Sequence, residues 1–392
     1  MSCLLYFTTH QSLTQMSLGL SPYLRKALAE EGFSKPFPIQ QMTIPAILEH
    51  KDILCIAPTG SGKTAGYVLP ILMNLEGNTD TKNRHVNVLV LVPTRELAMQ
   101  VNAVFQQFGA YVPYRFKSLA VYGGASINTQ MIAMIYVNVL VATPGRLLEL
   151  VASKAVHLSE ITTFVLDEAD KLLNLGFKEE VDKILTLLPK KRQNLLFSAT
   201  LSPDVQHMEQ LLLHEPHVIQ LAQEIENVDL IQQQAYLVSD EKKGPLLRYL
   251  IKQKEMQQVL VFTSSVYQAD LVADKLNKNG IEARAIHSQK SQGARTDALH
   301  HFKTGKLRVL VATDLLSRGI DIAFLPYVIN YELPRSPKDF VHRIGRTGRA
   351  ENPGEAITFI TTEDEHHFKI IQKKMKKQVD VLSAEDIDLQ GF

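Results

Sequence analysis

The residues DILCIAPTGSGKT, positions 52–64, decide the fold of this chain. A short apolar run ends in a glycine-bearing loop, and the loop leads into Lys63 and Thr64. This order of strand, glycine loop and helix is the context that a phosphate-binding P-loop requires. Glycines let backbone amides point inward around phosphates, and the following helix N-terminus adds positive potential. The segment predicts a nucleoside triphosphate site, although Ala57 occupies the position of the pattern's first glycine.

Each part of this loop has an expected role. Lys63 would reach the β and γ phosphates of the nucleotide, and the Thr64 hydroxyl would hold Mg²⁺. A chance turn would explain the glycines alone, but it would not explain their place between a strand and a helix. The residues predicted to bind nucleotide here are Ala57, Pro58, Thr59, Gly60, Ser61, Gly62, Lys63 and Thr64.

Short apolar, β-branched runs extend on both sides of this segment. Examples are VLVLV (88–92) and TFVLD (163–167) in the first half, and QVLVF (258–262) and RVLVA (308–312) in the second. Continuous apolar runs bounded by polar turns are typical of buried parallel strands. Because they alternate with helix-like stretches, the fold class is α/β, with doubly wound parallel sheets.

The length of 392 residues predicts two or three domains. A polar stretch at 221–234 interrupts the alternation and is interpreted as a linker between domains at 18–220 and 235–372. Residues 1–17 are expected to be a poorly ordered extension. Residues 373–392 are expected to be a solvated tail, first basic and then acidic, with an RNA-binding extension as the alternative.

The charge balance excludes a protein that holds nucleic acid by bulk charge. Lys plus Arg is 42 and Asp plus Glu is 41, so any binding of nucleic acid must depend on a few locally placed side chains and backbone amides. Cys3 and Cys55 are the only cysteines, which excludes a disulfide framework or a Cys-rich zinc site. No apolar run approaches the roughly 20 residues of a membrane helix. The start of the chain lacks the basic flank of a signal peptide, so no signal peptide is expected. The expected location is the cytoplasm.

The apolar run TFVLD ends in Asp167-Glu168-Ala169-Asp170. Carboxylates at the end of a buried strand are the second half of a nucleoside triphosphate site. Asp167 would bind Mg²⁺, and Glu168 would orient or deprotonate the attacking water. Asp170 would tie this loop to another. Alternatively the acids begin a surface helix, since acidic residues favour helix N-termini; this accounts for one carboxylate better than for two.

With these motifs in order, the chain resembles the DEAD-box RNA helicases, nearest to their bacterial RhlE-like subgroup. The resemblance runs from about residue 18 to about residue 368. It implies two tandem RecA-like doubly wound parallel-sheet domains, the core of superfamily 2 helicases. It also implies ATP and Mg²⁺ as cofactors, RNA as partner, and an RNA-stimulated ATPase that opens short duplexes locally. The protein is expected to be a monomer, with RNA-processing or ribosome-assembly proteins as further partners.

The resemblance assigns roles around the ATP. In GFSKPFPIQ (32–40), Phe33 would stack on the adenine ring and Gln40 would read its edge. Ser198 and Thr200 would couple the state of the nucleotide to closure of the two lobes. Asp321 would lie near the ribose.

The resemblance also implies an RNA path that contacts only the sugar–phosphate backbone, so no base sequence is read. Glycines admit the backbone closely, helix N-termini bind phosphate, and arginine adds a forked donor. The predicted RNA-binding residues are Arg95, Gly124, Thr143 and Arg146 on the first lobe, and Arg295, Thr313 and Arg318 on the second.

The segment HRIGRTGR (342–349) matches the last major motif of the family. Arg346 and Arg349 would be arginine fingers, which share a helical face and clamp the γ phosphoryl group. His342 would bridge hydrogen bonds between the lobes. A solvated basic helix face is the alternative for the two arginines. The predicted catalytic set is Lys63, Asp167, Glu168, Arg346 and Arg349.

Three other functions fit the sequence less well than this one. A DNA-translocating helicase does not suit the Asp-Glu-Ala-Asp segment and the adenine-reading Gln40. A non-enzymatic RNA clamp would have lost Lys63, Glu168 or an arginine finger, and all are present. A P-loop kinase or GTPase would leave HRIGRTGR unexplained.

Overall fold

A computed structural model describes residues 18–33, 35–58, 60–77, 82–221, 231–313, 325–347 and 354–392. The expected extension at 1–17 lies outside the described residues, and so does most of the expected linker. The chain divides into two compact units between Gln223 and Glu224. Among the described residues, no helix has both the length and the apolar character needed to cross a membrane.

The first unit alternates strands and helices as the apolar runs predict. Its strands are β1 Ile53–Ile56, β2 Val88–Leu91, β3 Ser118–Val121, β4 Val139–Ala142, β5 Thr163–Leu166, β6 Gln193–Ser198 and β7 His217–Gln220. Its helices are α1 Pro22–Glu30, α2 Pro38–Leu48, α3 Lys63–Asn74, α4 Arg95–Gly109, α5 Ile127–Ala133, α6 Pro144–Ala152, α7 Ala169–Asn174, α8 Lys178–Leu187 and α9 Pro203–Leu212.

These strands form one parallel sheet in the order β3-β4-β2-β5-β6-β1-β7. Its first strand, β1, therefore lies between the last two, β6 and β7. Successive residues of β1 face opposite layers of the core. Ile53 and Cys55 pack with residues of α1 to α4, whereas Leu54 and Ile56 pack with residues of α6 to α9. Both faces of β1 are buried, which explains why its residues are continuously apolar.

The second unit has the same alternation. Its strands are β8 Ile231–Leu237, β9 Val259–Thr263, β10 Ala283–Ile286, β11 Val309–Thr313, β12 Tyr327–Asn330, β13 Gly354–Ile360 and β14 Asp380–Ser383. Its described helices are α10 Asp240–Gln253, α11 Val266–Lys278, α12 Gln292–Lys303, α13 Pro337–Ile344 and α14 Glu365–Met375, and a 3₁₀ turn follows at Ala384–Asp386.

The second sheet is also parallel, in the order β10-β11-β9-β12-β13-β8-β14. Here too the first strand, β8, lies between the last two. The predicted doubly wound parallel sheets are thus confirmed in both units. One difference concerns the end of the chain, which was expected to be a solvated tail. Asp380–Ser383 instead pairs with β8 in register Val381↔Ala235, because the backbone of β8 offers a free edge that this strand can satisfy.

A close contact between α2 and α3 supports the loop before α3. The hydroxyl oxygen of Thr43 lies 2.9 Å from the carbonyl oxygen of Ile39 and 3.3 Å from that of Gly66. A Cβ atom on Gly66 would lie 2.7 Å from the Thr43 hydroxyl oxygen. The two helices can approach this closely only because position 66 carries no side chain.

The Gly66→Ala substitution is expected to destabilise the first unit by about 1 to 3 kcal/mol, because α2 and α3 must move apart. The free energy of unfolding can be measured by circular dichroism in urea. Gly145→Ala is the matched control, since Gly145 lies in α6 and a Cβ there meets nothing within 4 Å. Equal stability of the two variants would contradict the packing argument.

Candidate functional site

The carboxyl ends of the strands in the first unit bring several predicted loops together. Ile56 of β1 is in register with Ser198 of β6. Leu166 of β5 is in register with Leu196 of β6 and with Leu91 of β2. The P-loop, the Asp-Glu-Ala-Asp segment and the Ser-Ala-Thr segment therefore leave the sheet at one edge. This is where open α/β sheets bind ligands.

Lys63 is buried at this edge, with 8% of its surface exposed. Its ammonium Nζ donates to the carbonyl oxygens of Ala57 at 2.7 Å and Pro58 at 2.8 Å. Burial lowers the pKa of Lys63, and the negative charges of Asp167 and Glu168 oppose that shift. The lysine thus holds the loop closed through main-chain acceptors and stands beside two carboxylates.

The backbone of the P-loop depends on glycine. Gly62 precedes α3 with a φ of 89°, in the left-handed region. A Cβ there would lie 2.8 Å from Nε2 of Gln40. The Ser61 hydroxyl donates to the carbonyl of Pro58 at 2.8 Å. Gly60 also has a positive φ, of 81°, whereas Thr59 lies outside the described residues.

Asp167 is almost wholly buried, with 2% of its surface exposed. Its Oδ1 accepts from the backbone N–H of Glu168 at 2.8 Å, and its Oδ2 accepts from the Tyr67 hydroxyl at 2.9 Å. Burial raises the pKa of Asp167, and the charge of Lys63 opposes that shift. The pKa of Tyr67 lies well above its usual value, because burial and Asp167 raise it more than a hydrogen bond with Thr64 lowers it.

The oxygen donors of Asp167 and Thr64 fit the expected magnesium ion. Mg²⁺ binds oxygen ligands, usually through one or two carboxylates with substrate phosphates and water. Both side chains adjoin the Tyr67 hydroxyl, so they share one small region. No cluster of three or more His, Cys, Asp or Glu side chains able to hold a metal exists among the described residues. A site completed by phosphate oxygens and water requires no such cluster.

Glu168 has an unusual backbone for a non-glycine residue, with a φ of 51°. Its Oε1 contacts Nζ of Lys171 at 2.7 Å. Its Oε2 is buried and has no hydrogen-bond partner among the described residues. Burial raises the pKa of Glu168 by more than the charge of Lys171 lowers it. A buried carboxylate oxygen that still lacks a donor can accept a hydrogen bond from water.

Asp170 joins the loop after β5 to the loop after β6. Its Oδ2 accepts from the Thr200 hydroxyl at 2.9 Å. The Ser198 hydroxyl donates to the carbonyl of Thr200 at 2.8 Å, which shapes the second loop. The structure therefore brings together Asp170, Ser198 and Thr200, the residues expected to couple nucleotide state to closure.

Of the two residues expected to bind adenine, Gln40 contacts the P-loop directly. The Gln40 amide donates to the carbonyl of Gly62 at 3.1 Å and accepts from the backbone N–H of Phe37 at 3.0 Å. Phe33 is partly buried, and its ring packs against the core at 5.9 Å from that of Phe108. Phe37 is 45% exposed and approaches Gly62.

The predicted RNA-binding residues of the first unit line the same sheet edge. Gly124 has a φ of 79°, and a Cβ there would overlap the guanidinium of Arg95. Arg146 is buried, and its Nε contacts Oε2 of Glu149 at 2.8 Å. Both Nη atoms of Arg146 donate to the carbonyl of Ala125 at 3.1 Å. Its guanidinium therefore holds the loop that carries Gly124. Thr143 is buried and precedes α6 as its N-cap.

The predicted residues of the second unit are described only in part. Arg295 is buried on α12, and Thr313 is buried at the end of β11. His342 lies on α13, and Arg346 follows that helix; both are half-buried. Three predicted residues, Arg318, Asp321 and Arg349, lie outside the described residues.

Arg343 was given no role at the sequence level, and the structure buries it with 2% of its surface exposed. Its Nη1 donates to Oδ1 of Asn330 at 3.1 Å and to the carbonyl of Glu332 at 2.6 Å. Its guanidinium lies 4.9 Å from the centre of the Phe262 ring. Arg343 therefore ties α13 to the carboxyl ends of β9 and β12.

Sequence reasoning also missed Tyr67, Lys171 and Phe37. Helix spacing gives a signal for two of them. Tyr67 is four residues after Lys63, and Lys171 is three after Glu168, so each pair shares a helical face. Phe37 has no comparable signal, since its place depends on how the chain enters α2.

Glu168→Gln is expected to raise the Tm of the first unit at pH 7. The folded chain raises the pKa of Glu168 through burial, so folding favours the protonated carboxyl and the ionised form costs stability. The amide removes that cost. The gain should shrink as pH falls toward the ordinary value of 4.5, where the unfolded carboxyl also takes up a proton.

Thermal unfolding followed by circular dichroism between pH 5 and pH 8 measures this effect. Glu179→Gln at the exposed start of α8 is the control, and its Tm should stay equal or fall slightly. A lower Tm for Glu168→Gln at pH 7 would show that the contact with Lys171 outweighs burial.

Comparison with known proteins agrees with this geometry. The chain matches the family model described as DEAD/DEAH box helicase over residues 37–208, and that described as helicase conserved C-terminal domain over residues 241–351. It is 37% identical to the DEAD-box ATP-dependent RNA helicase CshA of Geobacillus kaustophilus, over 96% of this chain and 79% of that protein. It is 36% identical to the CshA of Bacillus subtilis, over 96% of this chain and 75% of that protein.

Solved structures give the same result. The structure of S. cerevisiae Dbp5 bound to RNA and ADP BeF3 matches with a TM-score of 0.81 and 29% identity, over 94% of this chain and 95% of that one. A DEAD box protein from the hyperthermophile Methanococcus jannaschii matches with a TM-score of 0.51 and 35% identity, over 93% and 98%. Together with its two RecA-like sheets, these matches show that the chain belongs to the DEAD-box ATP-dependent RNA helicases.

Proposed function

We propose that the first unit binds ATP at the end of β1 and that the chain couples ATP hydrolysis to the binding of an RNA strand. The observation that carries this proposal is the buried group of Lys63, Asp167 and Glu168, whose charges act on one another. A buried lysine flanked by carboxylates suits a triphosphate with its metal. On binding, phosphate oxygens would replace the carbonyls of Ala57 and Pro58 as partners of the ammonium.

Asp167 and Thr64 would hold Mg²⁺, which supplies charge neutralisation for the phosphates. Glu168 would accept a proton from the attacking water or orient it. Its buried Oε2 supports this role, because it has no hydrogen-bond partner among the described residues. Lys171 would keep the other carboxylate oxygen in place.

Gln40 would read the edge of adenine. Its amide already contacts Gly62, so nucleotide binding and the shape of the P-loop would be linked. Phe37 is better placed than Phe33 to contact the base, since Phe37 is exposed beside Gly62 and Phe33 packs against Phe108.

RNA would run along the carboxyl edge of each sheet. The open backbone at Gly124 and the N-terminus of α6 at Thr143 support contact with sugar and phosphate. Arg95 would contact phosphate directly, whereas Arg146 would act by holding the carbonyl of Ala125. In the second unit the proposed contacts are Arg295, Thr313 and Arg318.

The sequence predicts lobes at 18–220 and 235–372, joined by a linker at 221–234. Strand β8 already begins at Ile231 and pairs with Asp380–Ser383, so the second lobe is proposed to extend from residue 231 to at least residue 383. Arg346 and Arg349 of the second lobe would stabilise charge on the γ phosphoryl group, Asp321 would contact the ribose, and His342 would bridge the lobes. On this proposal the ATP site would need groups from both lobes, so ATP and RNA should each tighten the binding of the other by the same factor.

Several finer assignments stay predictions. They are membership of the RhlE-like subgroup, a monomeric state, a cytoplasmic location, and partners in RNA processing or ribosome assembly. The curated relatives compared above carry the name CshA, so the subgroup is a separate question from the family.

RNA should stimulate ATP hydrolysis by the wild-type chain, and Glu168→Gln should lower kcat by about 10² to 10⁴. RNA binding in the presence of ATP should persist in the variant, because Glu168 is proposed to act on water alone. Steady-state ATPase assays and fluorescence anisotropy of a labelled RNA measure the two effects.

DNA of the same length is the control ligand. Equal stimulation by DNA would favour a DNA-translocating helicase, since only RNA offers the 2′-hydroxyl. Absence of any nucleotide hydrolysis in the wild type would favour a non-enzymatic RNA clamp.

Arg346→Ala should lower RNA-stimulated kcat by roughly 10³ or more, as loss of an arginine finger does. The Tm should change little, because Arg346 is only half-buried. Arg343→Lys is the contrast within the same motif. It should lower the Tm, since it removes the guanidinium that bonds Asn330 and the Glu332 carbonyl. Normal hydrolysis by Arg346→Ala would exclude it as a finger.

A further inference from the structure

Tyr67 carries a buried hydroxyl that the proposed mechanism does not use. The residue is 0% exposed, and its hydroxyl donates to Oδ2 of Asp167 at 2.9 Å. Its ring lies 5.1 Å from that of Phe197 and 6.5 Å from that of Phe105. Because the ring is fixed by these aromatic neighbours, the position of the hydroxyl is fixed as well.

The Asp167 carboxylate receives one donor on each oxygen. The backbone N–H of Glu168 reaches Oδ1 at 2.8 Å, and Tyr67 reaches Oδ2. Two donors on two oxygens fix the rotation of the carboxylate plane. Each oxygen keeps a further lone pair, so the carboxylate can still bind a cation.

Thr64, the other proposed metal ligand, also acts on the Tyr67 hydroxyl, because it lowers the pKa of Tyr67 against the larger effects of burial and Asp167. Thr64 is three residues and Lys63 four residues before Tyr67, so α3 presents all three toward one region. A phenylalanine would fill the same space in the core, but it would leave Oδ2 of Asp167 without its donor.

We propose that Tyr67 is a positioning residue for the metal that accompanies ATP. Its hydroxyl sets the rotation of Asp167, and so fixes where the carboxylate presents its remaining lone pairs. This inference rests on the proposed ATP site. The competing explanation is that the hydroxyl only satisfies a buried carboxylate, in which case it contributes to stability and not to metal binding.

The test compares wild type with Tyr67→Phe in the full chain. The probe is ADP with a fluorescent ribose label, whose affinity is measured at rising Mg²⁺ concentration and in EDTA. The Mg²⁺ concentration that gives half of the full gain in affinity should rise about 10- to 100-fold in the variant, as for other residues that orient metal ligands. Affinity in EDTA should not change.

Tyr114→Phe is the matched control. The Tyr114 hydroxyl donates to the carbonyl of Leu72, which lies toward the other end of α3. The control removes a hydroxyl from the same unit, and it should leave the Mg²⁺ dependence at the wild-type value. Thermal unfolding of each variant separates loss of stability from loss of metal affinity.

A second comparison uses Asp167→Asn. If Tyr67 acts through Asp167, adding Tyr67→Phe to Asp167→Asn should not shift the Mg²⁺ dependence further. An unchanged Mg²⁺ dependence in Tyr67→Phe overturns the inference. So does a variant that fails to fold, since the hydroxyl would then be structural. Failure of wild type to bind the labelled ADP would instead reject the proposed ATP site.

Discussion

A buried ammonium group is the constraint on which the first unit depends. Removing a cation from water is costly unless it is paired and hydrogen-bonded. Lys63 meets this condition with two main-chain carbonyls and two nearby carboxylates. The loop closes around its own lysine, so the region is already dehydrated and charged before any ligand arrives. Such preorganised charge is what stabilises developing charge in phosphoryl transfer.

The same region contains a backbone conformation that costs free energy. Glu168 has a positive φ of 51° although it is not a glycine, whereas Gly62 adopts its positive φ without that cost. Unfavourable backbone of this kind persists only where the surroundings hold it. The hydrogen bonds of Asp167, Asp170 and Thr200 provide that support. Packing of α2 on α3 supports the other side, through Gly66.

Sequence patterns anticipated the sheets and the P-loop because both follow from local chemistry. Apolar runs bury themselves, and glycine loops before helices bind phosphate. The contact of Asp170 with a second loop was also anticipated. Tyr67 was missed because it lies within the apolar run of α3, where a tyrosine is expected to pack its ring in the core and its hydroxyl gives no sign of a role in the site. The sequence predicts a tail at residues 380–383, because four exposed residues form a strand only when the edge of a neighbouring strand is available to pair with them. Arg343 owes its burial, and Phe33 its packing against Phe108, to contacts distant in sequence.

The strand order bears on how the polypeptide folds as the ribosome makes it. In each unit the strand that emerges first lies between the two that emerge last. β1 must wait until β6 and β7 have been translated, which takes on the order of ten seconds at usual elongation rates. During that interval the apolar strand exposes both edges, the kind of surface that chaperones shield. Each domain can therefore close its sheet only when its own translation is nearly finished.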